Sequence, residues 1–217
     1  MAKTKTHQNL QNTRFLDRLR AKIADLPNLT RQSMQKFQAF ARALGGQSVS
    51  GNEIMADRTR LYKRMDQTKW GHLTMFYYDP KWKHKLPYYD TFPLVIPLQP
   101  AKGGFLGLNL HYLPPGHRAV VMDMLYNSSF FPGRFDVQDD VRIRIDYQKI
   151  KALLRNRFYV PCIKHYLYSH TKSSFFLVPP QDWDSFLFLP TERFVKWGKS
   201  AVQKESIRKI KGLKPRP

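Results

Sequence analysis

One cysteine in 217 residues excludes an intramolecular disulfide framework and any cysteine-rich zinc site. Cys162 lies in VPCIKHYLY among apolar neighbours, the setting of a buried, inert thiol rather than a nucleophile. Glutamate is almost as scarce. Only Glu53, Glu192 and Glu205 occur, and none sits in the apolar pattern that paired-carboxylate acid–base chemistry requires. No apolar run approaches the roughly 18 residues of a membrane span, and the opening MAKTKTHQN lacks the apolar centre of a secretory signal. The glycines at 103, 104 and 107 are followed by no GK[ST] ending and no helix, so they read as a bend rather than a phosphate loop. Internal repeats and low-complexity tracts are missing too.

What is present is positive charge. Lys and Arg number 37 against 16 Asp and Glu, a net +21, which is most easily sustained beside a polyanion. Nucleic acid leads that list, and the acidic faces of neighbouring proteins in a large assembly are the alternative. The excess is uneven: residues 1–70 carry 14 basic and 5 acidic groups, and residues 191–217 carry 9 and 2. The ends are therefore more basic than the middle.

The pattern predicts an α+β fold. Phe15, Leu19, Ile23 and Leu26, then Met34, Phe37, Ala41 and Leu44, fall at helical spacing on either side of Pro27 and suggest a helical hairpin. Ser50 and Glu53 have capping-box spacing, so a third helix is expected near Gly51. From Gly71 to Leu113 the chain turns aromatic and strand-like, with strands expected over Leu73–Tyr78, Phe92–Leu98 and Phe105–Leu110. Pro93 and Pro97 demote the second of these to an edge or a short strand, while Gly104 and Gly107 admit a close backbone or a bulge. Short strands with Gly and Pro corners favour a small bent antiparallel sheet or partial barrel, SH3-like in the closed extreme. After it come a helix from Pro114 to Asn127, a strand over Val141–Tyr147, helices through Ile150–Leu154 and Ile163–Tyr168, a strand at Phe175–Val178 and a helical turn at Asp182–Leu189. The expected organisation is a basic N-terminal helical extension (1–70), an α+β core (71–190) and a basic C-terminal arm (191–217).

Catalytic candidates do not converge. Asp139 and Asp140 resemble a nuclease metal pair, but neighbours on a strand face opposite ways and no Glu-x-Lys partner follows. His111 and His117 are separated by a Pro-Pro turn with no third ligand, so His111 reads as a structural histidine under a loop. His165 and His170, five apart, fall on different helical faces. No catalytic residue, metal or cofactor is expected.

Nucleic-acid binding needs cations for phosphate and flat groups for bases. Lys81, Trp82, Lys83, His84 and Lys85, followed by Tyr88 and Tyr89, supply both on one loop, where aromatic rings interleaved with lysine stack on bases or cap a duplex end. The competing reading has Trp82, Tyr88 and Tyr89 packing the loop down while the lysines face water. Arg142 and Arg144 on one strand face, and Lys204, Arg208, Lys209 and Lys211 near the C-terminus, fit sequence-independent phosphate contact.

The segments FYYDPKWKHKLPYYDTFPLVIPL, GGFLGLNLHYLPPGHRAVVMDMLY, PCIKHYLY and FLFLPTERF resemble the DNA end protector family of T-even-like contractile-tailed phages and their marine relatives. The similarity runs over residues 71–200, with GFLGLNLHYL its most specific part; residues 1–70 carry no recognised motif. The resemblance implies a non-enzymatic virion protein that joins the end of packaged double-stranded DNA near the portal and shields it from host exonuclease after injection. Its expected partners are a DNA end and other virion proteins, portal, neck, tail or baseplate subunits, with no membrane. It is expected in the virion, and in the host cytoplasm during assembly and after injection. The alternative is a structural component of tail, baseplate or neck whose basic arms bind neighbouring subunits.

Overall fold

Strand β4, Leu94–Ala101, is buried on both faces over residues 94–98, which is why the sequence LVIPL there is continuously apolar instead of alternating. Leu94, Ile96 and Leu98 point into one apolar cluster and Val95 into another, so the sheet is covered on both sides. The computed structural model describes residues 50–57, 61–62, 70–118, 160–179 and 182–212. The expected N-terminal hairpin, the strand with Arg142 and Arg144, the Asp139–Asp140 pair and the helix through Ile150–Leu154 lie outside these residues.

Helix α1, Gly51–Met55, carries the expected capping box: Asn52 N–H donates to the Ser50 hydroxyl and the Glu53 carboxylate accepts from Ser50 N–H. Its Ile54 enters the main core. Strand β1, Leu61–Tyr62, β2, Thr74–Met75, and β3, Tyr89–Asp90, precede β4. Strand β5 is Gly104–Asn109, β6 Ile163–Leu167 and β7 Phe175–Leu177. Helix α2, Trp183–Phe188, β8, Phe194–Val195, and helix α3, Lys199–Gly212, complete the described chain. The main sheet runs β1-β7-β2-β4-β5-β6, and β3 pairs with β8 in a second, two-stranded sheet; every pairing is antiparallel.

The α+β class and the antiparallel sheet stand. The sheet is open, with no pairing between β1 and β6 among the described residues, so it does not close in the SH3-like manner. Strand β4 is central, not an edge. Its β2 partner pairs only with Leu94 and Val95, and the register shifts between Pro97 and Gln99, so the prolines occupy positions where the ladder is one-sided or bulged.

Residues 163–167, expected as helix, form a strand on β5. The glycines decide it. A Cβ at Gly104 would strike the Tyr166 carbonyl, so the residue without one lets β6 pair closely. Tyr166 then turns inward to Phe76, Phe105 and Tyr78, building the aromatic cluster on that face of the sheet.

The C-terminal segment expected as an arm is helical over Lys199–Gly212 and docked on the body. Val202, Gln203, Ser206 and Ile210 are buried at spacing close to one helical face. Gln203 Nε2–H donates to the His111 carbonyl, so the dock is part apolar and part polar.

Candidate nucleic-acid interface

Asp79-Pro80 closes the first apolar run, and the chain then makes a tight turn over 81–85. Lys83 N–H donates to the Pro80 carbonyl, and Lys85 and Leu86 N–H both donate to the Trp82 carbonyl. The flanks are pinned from outside. Asp79 N–H donates to the His170 carbonyl, and the Asp79 carbonyl accepts from His170 Nδ1 at 2.8 Å. Lys196 Nζ donates to the carbonyls of His84, at 3.2 Å, and Leu86, at 2.6 Å. Lys196 holds φ at +73° to do so, a conformation that L-residues adopt at a cost.

On this turn Trp82 is 57% exposed. Lys81 and Lys85 place their ammonium groups 5.3 and 5.1 Å from its ring centroid, inside cation–π range. Lys83 points elsewhere: it pairs with Asp79 at 3.0 Å, and the hydrogen bond from Lys83 holds the Asp79 carboxyl below its usual range. The turn therefore presents Lys81, Trp82 and Lys85, while Lys83 serves the turn itself. Trp82 is not packed down; Tyr88 is, against Tyr112 and Trp197.

Beneath Trp82 opens a cavity of about 400 Å³, walled by the turn and by β3 and β6. Tyr78, Tyr88, Asp90, Tyr112 and Tyr166 line it and are buried, whereas Lys81 and Trp82 line it and are exposed; the first set makes the floor and the second the rim. Lys164, from β6, crosses the wall with Nζ 4.2 Å from the Tyr112 ring centroid. Burial pushes it down to about 8, against an upward pull from Cys162 and with a smaller downward push from the Lys209 ammonium. Sequence reasoning missed Lys164 and Tyr166 because Ile163–Tyr168 reads as a helix and only its Gly partners signal a strand; Tyr112 falls between the strand expected to Leu110 and the helix expected from Pro114 and was not singled out.

The basic residues of α3 divide. Arg208 and Lys209 both reach Glu205, at 2.8 and 3.4 Å, and the hydrogen bond from Arg208 lowers the Glu205 carboxyl. Lys204, Arg208 and Lys211 are exposed at spacings of four and three, a single outward stripe. Arg142 and Arg144 lie outside the described residues.

A second constellation has catalytic form without catalytic access. His111 Nδ1 donates to Asp90 Oδ2 at 2.7 Å, and Nε2 lies 3.1 Å from Thr191 Oγ1, the connectivity of an acid–base–nucleophile relay. His111 is 0% and Thr191 2% exposed, so no substrate reaches the hydroxyl. The network continues through Asn109, which donates to Asp90 and Tyr166, and beside it Arg118 donates to the carbonyls of Leu113, Leu187 and His111 and pairs with Glu192. This polar core clamps residues 191–203 to the strand ends, so His111 is structural, as its sequence setting suggests. Cys162 is buried, and burial pushes its thiol up to about 12, which suits the inert role.

Residues 2–210 match the family model described as phage T4 terminal DNA protecting protein. The chain belongs to that family. The match includes residues 2–70, so the N-terminal segment is part of the family's own length and not an unrelated addition. No curated protein and no solved structure matches the chain.

Proposed function

We propose that the chain binds the terminus of packaged double-stranded phage DNA and, without enzymatic activity, covers it against host exonuclease. The observation that carries this reading is Trp82, left in water between Lys81 and Lys85 on a turn pinned by Lys196 and His170. A rigidly presented ring suits the end of a duplex, where the last base pair offers an open π-face of any sequence. The flanking ammonium groups suit the phosphates beside it, which fix position without reading sequence. Lys204, Arg208 and Lys211 of α3 extend the phosphate contacts, and Arg142 and Arg144 belong to the same proposal. On this reading the protein resides in the virion beside portal or neck subunits, and in the host cytoplasm after injection.

The test compares a blunt linear duplex with the same sequence closed at both ends by hairpin loops, titrated at low salt. Stacking on Trp82 predicts tighter binding of the open form by about tenfold, since one base stack contributes roughly 1–3 kcal/mol. Equal affinities, or none for either, overturn the proposal.

A further inference from the structure

The cavity below Trp82 is not needed to cap a blunt duplex. A base pair is two bases broad and rests on the exposed ring alone, whereas the hollow is about 400 Å³, near the lower end of the roughly 300–1,000 Å³ typical of small-ligand sites. That is room for one nucleotide. Its walls are aromatic on the inside, from Tyr78, Tyr88, Tyr112 and Tyr166, with Lys81 at the rim and the Lys164 ammonium in the wall over the Tyr112 ring. Lys164 pairs with no carboxylate among the described residues; its partner there is the Tyr112 ring. A half-buried ammonium on an aromatic face, without a counter-charge, suits an incoming anion.

The Asp90 carboxylate at the floor fixes the direction of entry. It is buried, accepting from Phe92 N–H, Asn109 and His111, and repels a phosphate while tolerating a base. We propose that the cavity receives a single unpaired nucleotide at the DNA terminus, its base against the tyrosines and its phosphate on Lys164 and Lys81. This rests on the end-binding reading and adds to it that the preferred end is a one-nucleotide overhang, or an end whose last pair has opened.

The experiment titrates the full chain with blunt, 5′-overhang, 3′-overhang and hairpin-closed forms of one duplex, the extra nucleotide being 2-aminopurine. One of the overhangs should bind about tenfold tighter than the blunt end, the worth of one further stack, with its fluorescence quenched in the complex. Lys164→Met keeps the aliphatic stem over Tyr112 and removes the charge, and should erase most of that preference; its thermal melt checks that it folds. Blunt and overhang ends bound equally, with 2-aminopurine still bright, overturn the cavity proposal while leaving end binding intact. Open and hairpin-closed forms bound equally remove the end-binding reading itself, and the cavity proposal with it.

Discussion

Glu192 shows how a few side chains hold the C-terminal segment in place. Burial alone raises its carboxyl, but the Arg118 guanidinium, then His111 and Lys199, outweigh that and hold it at about 2, below the ordinary 4.5. A depressed acid stabilises the fold fully above its unfolded value, and that stability is lost as pH falls toward the folded one. Acid unfolding should therefore include a component between about pH 4.5 and 2, on the order of 3 kcal/mol. Glu192→Gln should flatten that limb in urea melts taken across pH and, by leaving Arg118 buried without a counter-charge, cost about 3–5 kcal/mol at neutral pH. Trp82→Ala predicts the opposite split. The ring is exposed, so stability should stay within about 0.5 kcal/mol, while affinity for a duplex end should drop by roughly 1–3 kcal/mol. The Lys81-to-Lys85 loop was legible in the sequence because cations and rings alternate there. That Lys83 answers Asp79 was not singled out, although the pair is four residues apart on a turn.

The turn at 81–85 depends on Lys196, the residue after β8 and more than a hundred residues away. Lys196→Ala keeps the unfavourable backbone of a positive-φ residue and loses both carbonyl bonds; Lys196→Gly loses the bonds but relieves the backbone. Both should speed hydrogen exchange at Leu86 N–H and weaken end binding, with the Gly variant the more stable of the two by about 1 kcal/mol in a denaturant melt. Equal exchange in wild type and variants contradicts the clamp. The capping box at α1, the close approach at Gly104 and Gly107, the strand at Phe175 and the turn at Asp182 were readable from local patterns. Strand β6 was not, because IKHYL takes its conformation from the free edge of β5. Helix α3 was hidden for a related reason: its buried face includes Gln203 and Ser206, and a polar side chain counts as core only once its partner across the fold, here the His111 carbonyl, is known.

For the whole molecule, the +21 charge makes binding to DNA a counterion-release equilibrium. Lys81, Lys85, Lys164, Lys204 and Lys211 alone predict a slope of about −4 to −5 in log affinity against log salt, and a slope near zero in titrations across salt contradicts phosphate contact. The polyanion partner was readable from composition, because charge excess is a sum over residues. Where it acts was less so. The end-rich distribution points to tails, whereas the structure docks the basic helix Lys199–Gly212 on the body through Val202, Gln203, Ser206 and Ile210.

If the Lys81–Trp82–Lys85 turn covers a DNA end, the chain should slow the loss of a linear blunt duplex exposed to a processive exonuclease. The wild-type chain should lengthen the duplex half-life at low salt, and the combined Lys81→Ala, Trp82→Ala and Lys85→Ala variant should return it most of the way to that of bare DNA. A duplex degraded equally fast with and without the wild-type chain, or protected equally well by the folded triple variant, contradicts end covering by this turn.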